Sequence, residues 1–160
     1  MEDERNLKLG QNVYSNICSM FEEMKFNYKP DDENLVIRST VHGEDIPMDI
    51  VIVVDAESES VSYFSQMPFK VPEDRISDMA LAISIANSGL RHGSFDLDIF
   101  EGTIIFRMSA CYVDSILGKE LFKLMLIISS NTIDRYNDKF LMLSKGMISL
   151  EQFVSSDNKQ

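Results

Sequence analysis

The stretch FDLDIFEGTIIFRM, residues 95–108, constrains the fold of this chain more than any other. Its first half alternates apolar and polar residues with a period of two, as a strand with one buried face does. Glu101-Gly102 supplies a turn, because glycine accepts the positive φ that short hairpin loops need. A second alternating run follows the turn. The stretch therefore predicts a β-hairpin.

The register of this hairpin follows from the need to place both apolar sets on one face. If Phe95 lies opposite Phe106, then Leu97 lies opposite Ile104, and all four side chains share a face. A slip of one residue would turn one set toward solvent. The pattern therefore predicts these two pairs.

Arg107 and Asp96 fall on the other face of the hairpin, diagonally across from one another. The favoured interpretation is an ion pair on a solvated sheet face, since exposed charges on strands usually do no more. The alternative is that Arg107 contacts a carboxylate or backbone carbonyl of a partner. We therefore keep both residues as candidates for a partner-binding surface.

The rest of the chain predicts an α+β fold with one antiparallel five-stranded sheet and packed helices, in the order α-βββ-α-ββ-α-α. Pro30 predicts a turn over Tyr28–Asp32. The strand over Ile50–Val54 is continuously apolar, which is typical of a central strand covered on both faces. The other predicted elements are helices over Asn12–Met24, Pro72–Leu90 and Leu117–Leu143, strands over Leu35–His42 and Val61–Ser65, and a last helix that opens at Ser149.

Several local signals set the expected ends of these helices. Asp114 or Ser115 can cap the long helix at its start, and Gly146 is a plausible stop. Ser149 to Gln152 form a capping-box pattern, with Phe153 as the anchor of the last helix. The main apolar stripe predicted for the long helix is Leu117, Leu121, Leu124, Ile128, Tyr136, Phe140 and Leu143.

Length and composition are those of one globular domain. The 160 residues are 44% hydrophobic and 26% charged, which predicts a single domain over residues 1–155 and a polar, disordered tail over residues 156–160. The net charge of −11 argues against nucleic acid or an anionic membrane as partner, because both require clustered cations. It is compatible with a basic or apolar protein partner, but the favoured explanation is solubility.

A cytoplasmic location is predicted. The opening residues MEDERNLKLGQN contain no hydrophobic signal segment, and no apolar run is long enough to span a bilayer. Cys18 and Cys111 have neither CxxC nor metal spacing, so free, buried thiols in a reducing compartment are expected.

No set of residues demands a catalytic or metal-dependent chemistry. Asp96, Asp98 and Glu101 fail the calcium-loop spacing because Phe100 occupies the third ligand position. His42 and His92 lack the paired ligands that metal sites use. Walker A, GxGxxG and GxSxG sequences are absent. The sequence therefore predicts a protein that is not an enzyme and that needs no cofactor or metal.

Particular residues of the chain, together with its layout, carry a resemblance to a known family. They are Asn87, Gly93, Phe95, Glu101, Gly102, Phe106 and Arg107. They resemble the YbjN-type family of bacterial proteins, which carry the label of sensory-transduction regulators. The resemblance implies a fold like that of type III secretion chaperones, small and usually homodimeric proteins that bind protein segments. It implies no catalytic residues, because the family has no established set.

Two classes of function stay open. The favoured one is a chaperone-like adaptor or regulator that binds an extended or helical segment of another protein through its sheet face or a groove between helices. The alternative is a small-ligand sensor with a pocket between the sheet and the helix over Pro72–Leu90.

The long helix also predicts a homodimer, because it carries more apolar surface than one sheet face covers. The residues beside its main stripe are Met125, Ile127, Ile133 and Met142. Ile127 is our candidate for the dimer or partner contact. The alternative is that the last helix, anchored by Phe153, folds back and covers this surface within one chain.

Overall fold

A computed structural model describes residues 2–113, 115 and 117–157, without the side chain of Glu2. Its elements are α1 (Glu2–Glu23), β1 (Tyr28–Asp31), β2 (Val36–His42), β3 (Pro47–Asp55), β4 (Ser60–Lys70), α2 (Ile76–Ser88), β5 (Ser94–Asp98), β6 (Thr103–Cys111), α3 (Lys119–Ser144) and α4 (Leu150–Asp157). A short 3-10 turn, Glu73–Arg75, leads into α2. The fold class is α+β, with helices packed on an antiparallel sheet, as predicted.

The sheet has six strands, in the order β1-β2-β3-β4-β6-β5, rather than the predicted five. All neighbouring strands are antiparallel. The missed strand is β1, which the prediction treated as a turn because of Pro30. Since β1 lies at the edge of the sheet, the absent N–H of proline is tolerated there.

The hairpin of β5 and β6 has the predicted register, with Phe95 opposite Phe106 and Leu97 opposite Ile104. Its turn depends on Gly102, which has a φ of 67°. A side chain at this position would be strained, and its Cβ would lie 2.3 Å from the carbonyl oxygen of Val71. The turn at Gly102 and the alternation of apolar residues therefore specify the same hairpin.

The helices cover only one face of the sheet. α1 packs on β3, α2 on β5, and α3 on β4 and β6. Along β3, Ile50, Ile52 and Val54 are buried, whereas Val51 and Val53 are only half-buried. The prediction that this strand is covered on both faces was therefore wrong, because an apolar run alone does not reveal how many helices pack against it.

Aromatic rings join the hairpin to α3 and α4. Phe95 lies 5.1 Å from Phe106, 5.1 Å from Phe140 and 5.5 Å from Tyr136, measured between ring centroids. Phe140 in turn stacks on Phe153 of α4 at 5.7 Å. All five rings are at most 1% exposed. Because edge-to-face and stacked pairs add to area burial, this cluster is a main source of stability.

The buried face of α3 is partly out of phase with the predicted stripe. Leu124 is 52% exposed, whereas Phe122 and Leu126 are buried. Leucine and isoleucine occur on several faces of the helix, so the pattern did not identify a single stripe. The helix begins at Lys119 after Gly118, not after Ser115, and the other predicted cap, Asp114, lies outside the described residues.

The predicted C-terminal stop of α3 and the predicted start of α4 are confirmed. Gly146 has a φ of 67°, and its N–H donates to the carbonyl oxygen of Leu143 at 3.0 Å, which ends α3. The capping box of α4 is complete. The N–H of Ser149 donates to Gln152 Oε1 at 2.9 Å, and the N–H of Gln152 donates to Ser149 Oγ at 3.2 Å.

The C-terminal end of α4 reaches Asp157, two residues beyond the predicted end of the domain at residue 155. The Asp157 carboxylate accepts a hydrogen bond from the Tyr136 hydroxyl at 2.9 Å and lies 3.6 Å from Lys139 Nζ. These contacts order the last turn, which a polar composition alone did not predict. Residues 158–160 lie outside the described residues.

The first helix is also longer than the predicted Asn12–Met24, because it continues through Gly10 toward the start of the chain. This glycine is buried inside α1, and a Cβ there would lie 3.0 Å from the Cβ of Ala56 and 3.2 Å from the hydroxyl of Tyr112. Its role is therefore close approach of the helix to the β3–β4 turn and to the end of β6 rather than helix termination.

Candidate functional site

The candidate site is the sheet face turned away from the helices, which we call the open face. Half-buried apolar side chains occupy its centre. They are Val36, Val51, Val53, Phe64 and Ile105. Strand pairing sets Arg38, Val51, Phe64 and Arg107 in one row across β2, β3, β4 and β6. The open face thus carries an apolar centre with charged residues on either side.

Two hollows shape this surface. One, of about 590 Å³, is formed by the end of the α1–β1 connection and by β1, β2 and β3. The other, of about 510 Å³, is formed by β3, β4 and β6 and includes Phe64 and Ile105. Asp49 and Val51 line both hollows, so the two are adjacent. A concave surface with an apolar floor is able to hold a chain segment.

Arg107 and Asp96 form the predicted ion pair at the border of the open face. Arg107 Nε lies 3.0 Å from Asp96 Oδ2, and each side chain is 50% exposed. The contribution of such an exposed pair to stability is at most about 1 kcal/mol. The structure thus agrees with the favoured structural interpretation, and a role of either residue in partner binding stays a prediction.

Ile127, the third predicted contact residue, lies on α3 and not on the open face. It is 43% exposed beside Leu124, whereas Met125 and Ile133 are buried within the chain. Part of the predicted excess of apolar surface is therefore ordinary core. Ile127 and Leu124 form a separate and smaller apolar surface on the helical layer.

The open face was only partly predictable. Arg107 and Asp96 were predicted, but Val51 and Val53 were expected to be buried strand residues. The available signal was the alternation of Ser60, Val61, Ser62 and Tyr63, which is typical of a strand with one exposed face. Nothing in the sequence states which face the helices leave open.

No cluster of three histidine, cysteine, aspartate or glutamate residues with the arrangement of a metal site occurs among residues 2–113, 115 and 117–157. The acids of the hairpin have a local role instead. Asp98 Oδ1 accepts the N–H groups of Phe100 at 2.9 Å and Glu101 at 3.0 Å. The backbone hydrogen bonds from Glu101 and Phe100 lower the pKa of Asp98. This carboxylate therefore stabilises the turn.

We expect treatment with EDTA to leave the melting temperature unchanged within error, because hydrogen bonds within the turn already engage Asp98. The measurement is a thermal melt followed by circular dichroism, before and after dialysis. A large drop that CaCl₂ or ZnCl₂ restores would contradict this expectation.

The two cysteines are free, but neither is fully buried as predicted. Cys18 is half-buried in α1, and burial raises the pKa of its thiol. A protonated thiol is a poor nucleophile. Cys111, in contrast, is exposed at the end of β6.

Side chains fill the space between the sheet and α2. The residues of α2 that are at most 5% exposed are Met79, Ala82, Ile83 and Ala86. The two larger hollows described above lie instead on the open face. None of the described helices combines the length and the apolar content that a membrane-spanning helix needs.

The architecture is α+β, with an antiparallel sheet covered by helices on one face. The sequence matches no protein-family model and no curated protein. Among solved structures, YbjN from E. coli, a candidate transcription regulator, is 10% identical with a TM-score of 0.55, over 82% of this chain and 88% of YbjN. At this identity, the likeness shows the fold alone.

Two protein complexes show a similar likeness. The match in the HopA1–SchA chaperone–effector complex has 11% identity and a TM-score of 0.54, and covers 79% of this chain and 95% of the other. The match in the ExsC–ExsE complex has 11% identity and a TM-score of 0.51, and covers 79% and 91%. The fold implied by the family resemblance is therefore present.

Proposed function

We propose that this chain is a non-enzymatic, chaperone-like protein-binding module that holds a segment of a partner protein on its open face. The observation that carries the proposal is the apolar centre of that face, where Val51, Phe64 and Ile105 line two adjacent hollows and no described helix lies over them. Contiguous exposed apolar surface is typical of interaction sites. The likeness to folds found in a chaperone–effector complex supports the same function.

Binding would combine apolar contacts in the centre with polar contacts at the border. Apolar side chains of the segment would enter the hollows beside Phe64 and displace water from them. Arg107 uses its Nε on Asp96, which leaves its Nη groups as donors for a partner carbonyl or carboxylate. In this proposal, Arg107 and Asp96 orient the segment, and the apolar centre supplies most of the affinity.

The small-ligand sensor is the weaker proposal. Its pocket would lie between the sheet and α2, where Met79, Ala82 and Ala86 are fully buried. A ligand there would have to displace well-packed side chains. The free thiols of Cys18 and Cys111 fit a cytoplasmic location, which we propose for this protein.

Affinity capture with quantitative mass spectrometry tests the proposed function. Phe64→Asp places a charge in the apolar centre and should remove most of the proteins that the wild-type chain captures. Leu81→Asp is the matched control, because Leu81 is 54% exposed on α2 and lies in the helical layer. Equal capture by wild type and both variants would contradict a binding role for the open face.

We also propose a homodimer that forms through Leu124 and Ile127 on α3. Light scattering after gel filtration should give twice the chain mass of 18.3 kDa for wild type. Ile127→Asp should shift the protein toward the monomer with little change in melting temperature, because Ile127 is 43% exposed within one chain. A mass near 18.3 kDa for wild type at every concentration would contradict the dimer.

Leu81→Asp serves again as control, since it also places a charge at an exposed apolar residue of a helix. This variant should remain dimeric. If Ile127→Asp instead unfolds the protein, Ile127 belongs to the core rather than to an interface.

A further inference from the structure

We infer that the partner segment is acidic as well as apolar, and that its carboxylates bind Lys29 and Arg38 at the β1–β2 end of the open face. The inference rests on the proposed function, because it assumes that a protein segment occupies this face. It adds the chemistry of that segment.

The first observation is a pair of like charges without an ion-pair partner within 4 Å among the described residues. Lys29 and Arg38 lie directly opposite one another in the register of β1 and β2, and both are exposed. Like charges in directly opposed positions destabilise a sheet. Among the described ion pairs, none within 4 Å includes either residue. The pair therefore weakens the isolated fold and is available to a bound anion.

The second observation is that the nearest acids of this surface already have other partners. Asp49 Oδ1 accepts a hydrogen bond from the Thr40 hydroxyl at 2.6 Å. The Asp31 carboxylate accepts the backbone N–H and the side-chain amide of Asn34, each at 3.1 Å. Hydrogen bonds from Asn34, and to a smaller extent the charge of Arg38, lower the pKa of Asp31. These contacts hold both acids within the chain's own turns and strands.

The third observation is the position of the two cations relative to the apolar centre. Lys29 and Arg38 line the larger hollow, and Val51 lies in the same hollow. Val51 also lines the second hollow, beside Phe64. Neighbouring strands are about 4.8 Å apart, so Arg38 and Phe64, two strands apart, are separated by about 10 Å.

An extended segment matches this arrangement. Its side chains on one face recur every ~6.8 Å, and the long side chain of Arg38 can span the remaining ~3 Å. A segment that crosses the strands therefore brings a carboxylate within reach of Arg38 when an apolar side chain lies beside Phe64. Arginine binds carboxylates in a bidentate manner, and partial burial under the segment strengthens the contact. A small free anion would leave the adjacent apolar centre unused. The net charge of −11 repels acidic partners at long range, so the two cations select this combination at short range, beside the apolar hollow.

The test is a peptide-display selection on the full chain, with random peptides of about ten residues, a length that spans the sheet at ~3.4 Å per residue. We expect the selected peptides to be enriched in Asp and Glu next to apolar residues. The best of them should bind Lys29→Glu about tenfold more weakly than wild type in fluorescence anisotropy, and more weakly still at high salt.

Lys29→Glu is informative because it separates binding from folding. It creates an opposite-charge pair with Arg38, so its melting temperature should be equal to or above that of wild type. Lys8→Glu, an exposed residue of α1, has the same change of charge and should bind the peptide as wild type does.

The other outcomes distinguish this inference from the proposed function. The selected peptides could lack an acidic excess and still lose their binding in Phe64→Asp. That result would overturn the inference and leave the proposed function in place. Peptides that bind Phe64→Asp as well as wild type, or no enrichment at all, would contradict both. If self-association of the protein displaces the peptide, the open face belongs to a second copy of this chain. That result would also overturn the inference.

Discussion

Phe95→Ala is expected to lower the free energy of unfolding by about 4 kcal/mol, with a drop in melting temperature of about 10 °C. Phe95 is 1% exposed and lies within 5.5 Å of Phe106, Tyr136 and Phe140 between ring centroids. Removal of the ring leaves a cavity among side chains of β6 and α3, and these cannot all move to fill it. Urea denaturation followed by circular dichroism measures the effect.

Phe100→Ala is the matched control, because it removes the same ring from the same hairpin. Phe100 is 92% exposed at the turn, so its removal should change the free energy of unfolding by less than about 0.5 kcal/mol. Similar losses in the free energy of unfolding of the two variants would contradict the hairpin register, or the packing of its inner face, described above.

Asn87→Ala should lower the free energy of unfolding by about 2–3 kcal/mol. The side-chain amide of Asn87 donates to the Phe95 carbonyl oxygen at 2.9 Å, and its oxygen accepts the Phe95 N–H at 2.8 Å. It thus pairs with the outer backbone edge of β5 as a neighbouring strand would. Without it, two partly buried backbone groups lose their partners, and the edge is open to pairing with other chains.

Two further variants test whether the loss comes from the hydrogen bonds between the Asn87 amide and the backbone of Phe95. Asn87→Asp keeps the acceptor for the Phe95 N–H but, when ionised, sets a carboxylate oxygen against the Phe95 carbonyl. Its deficit relative to wild type should shrink at acidic pH, where the protonated carboxyl donates a hydrogen bond. Ser88→Ala removes a hydroxyl that bonds only within the helix, to the Ile85 carbonyl, and should have little effect. Equal losses in Asn87→Ala and Ser88→Ala would contradict the edge-pairing role.

The parts of the fold that were predicted are those that neighbouring residues determine. The β5–β6 register follows from alternation around Gly102, and the start of α4 follows from Ser149 and Gln152. In each case, the contacts lie within a dozen residues of one another. In short-range patterns of this kind, neighbouring residues alone determine the cap or the register.

The parts that were not predicted depend on distant residues. β1 is a strand because β2 offers it an edge, although Pro30 on its own favours a turn. The buried face of α3 is set by the sheet and by α4, and not by its own leucines. The Asp157 contact with Tyr136 likewise joins two helices and leaves no local signal.

The candidate site shows the same division. Arg107 and Asp96 are diagonal neighbours in one hairpin, so their ion pair was predictable. The apolar centre joins Val51, Phe64 and Ile105 from three strands, and its exposure depends on where the helices pack. The pairing of Lys29 with Arg38 required the strand that the sequence did not reveal.

Site-specific photo-cross-linking tests the central claim, that the open face holds a partner protein, most directly. A benzophenone side chain in place of Phe64 would lie in the apolar centre, and one in place of Leu81 would lie on the exposed surface of α2. The account predicts discrete adducts with a partner protein from the first position and not from the second. Adducts from Leu81 alone, or the same adducts from both positions, would contradict it.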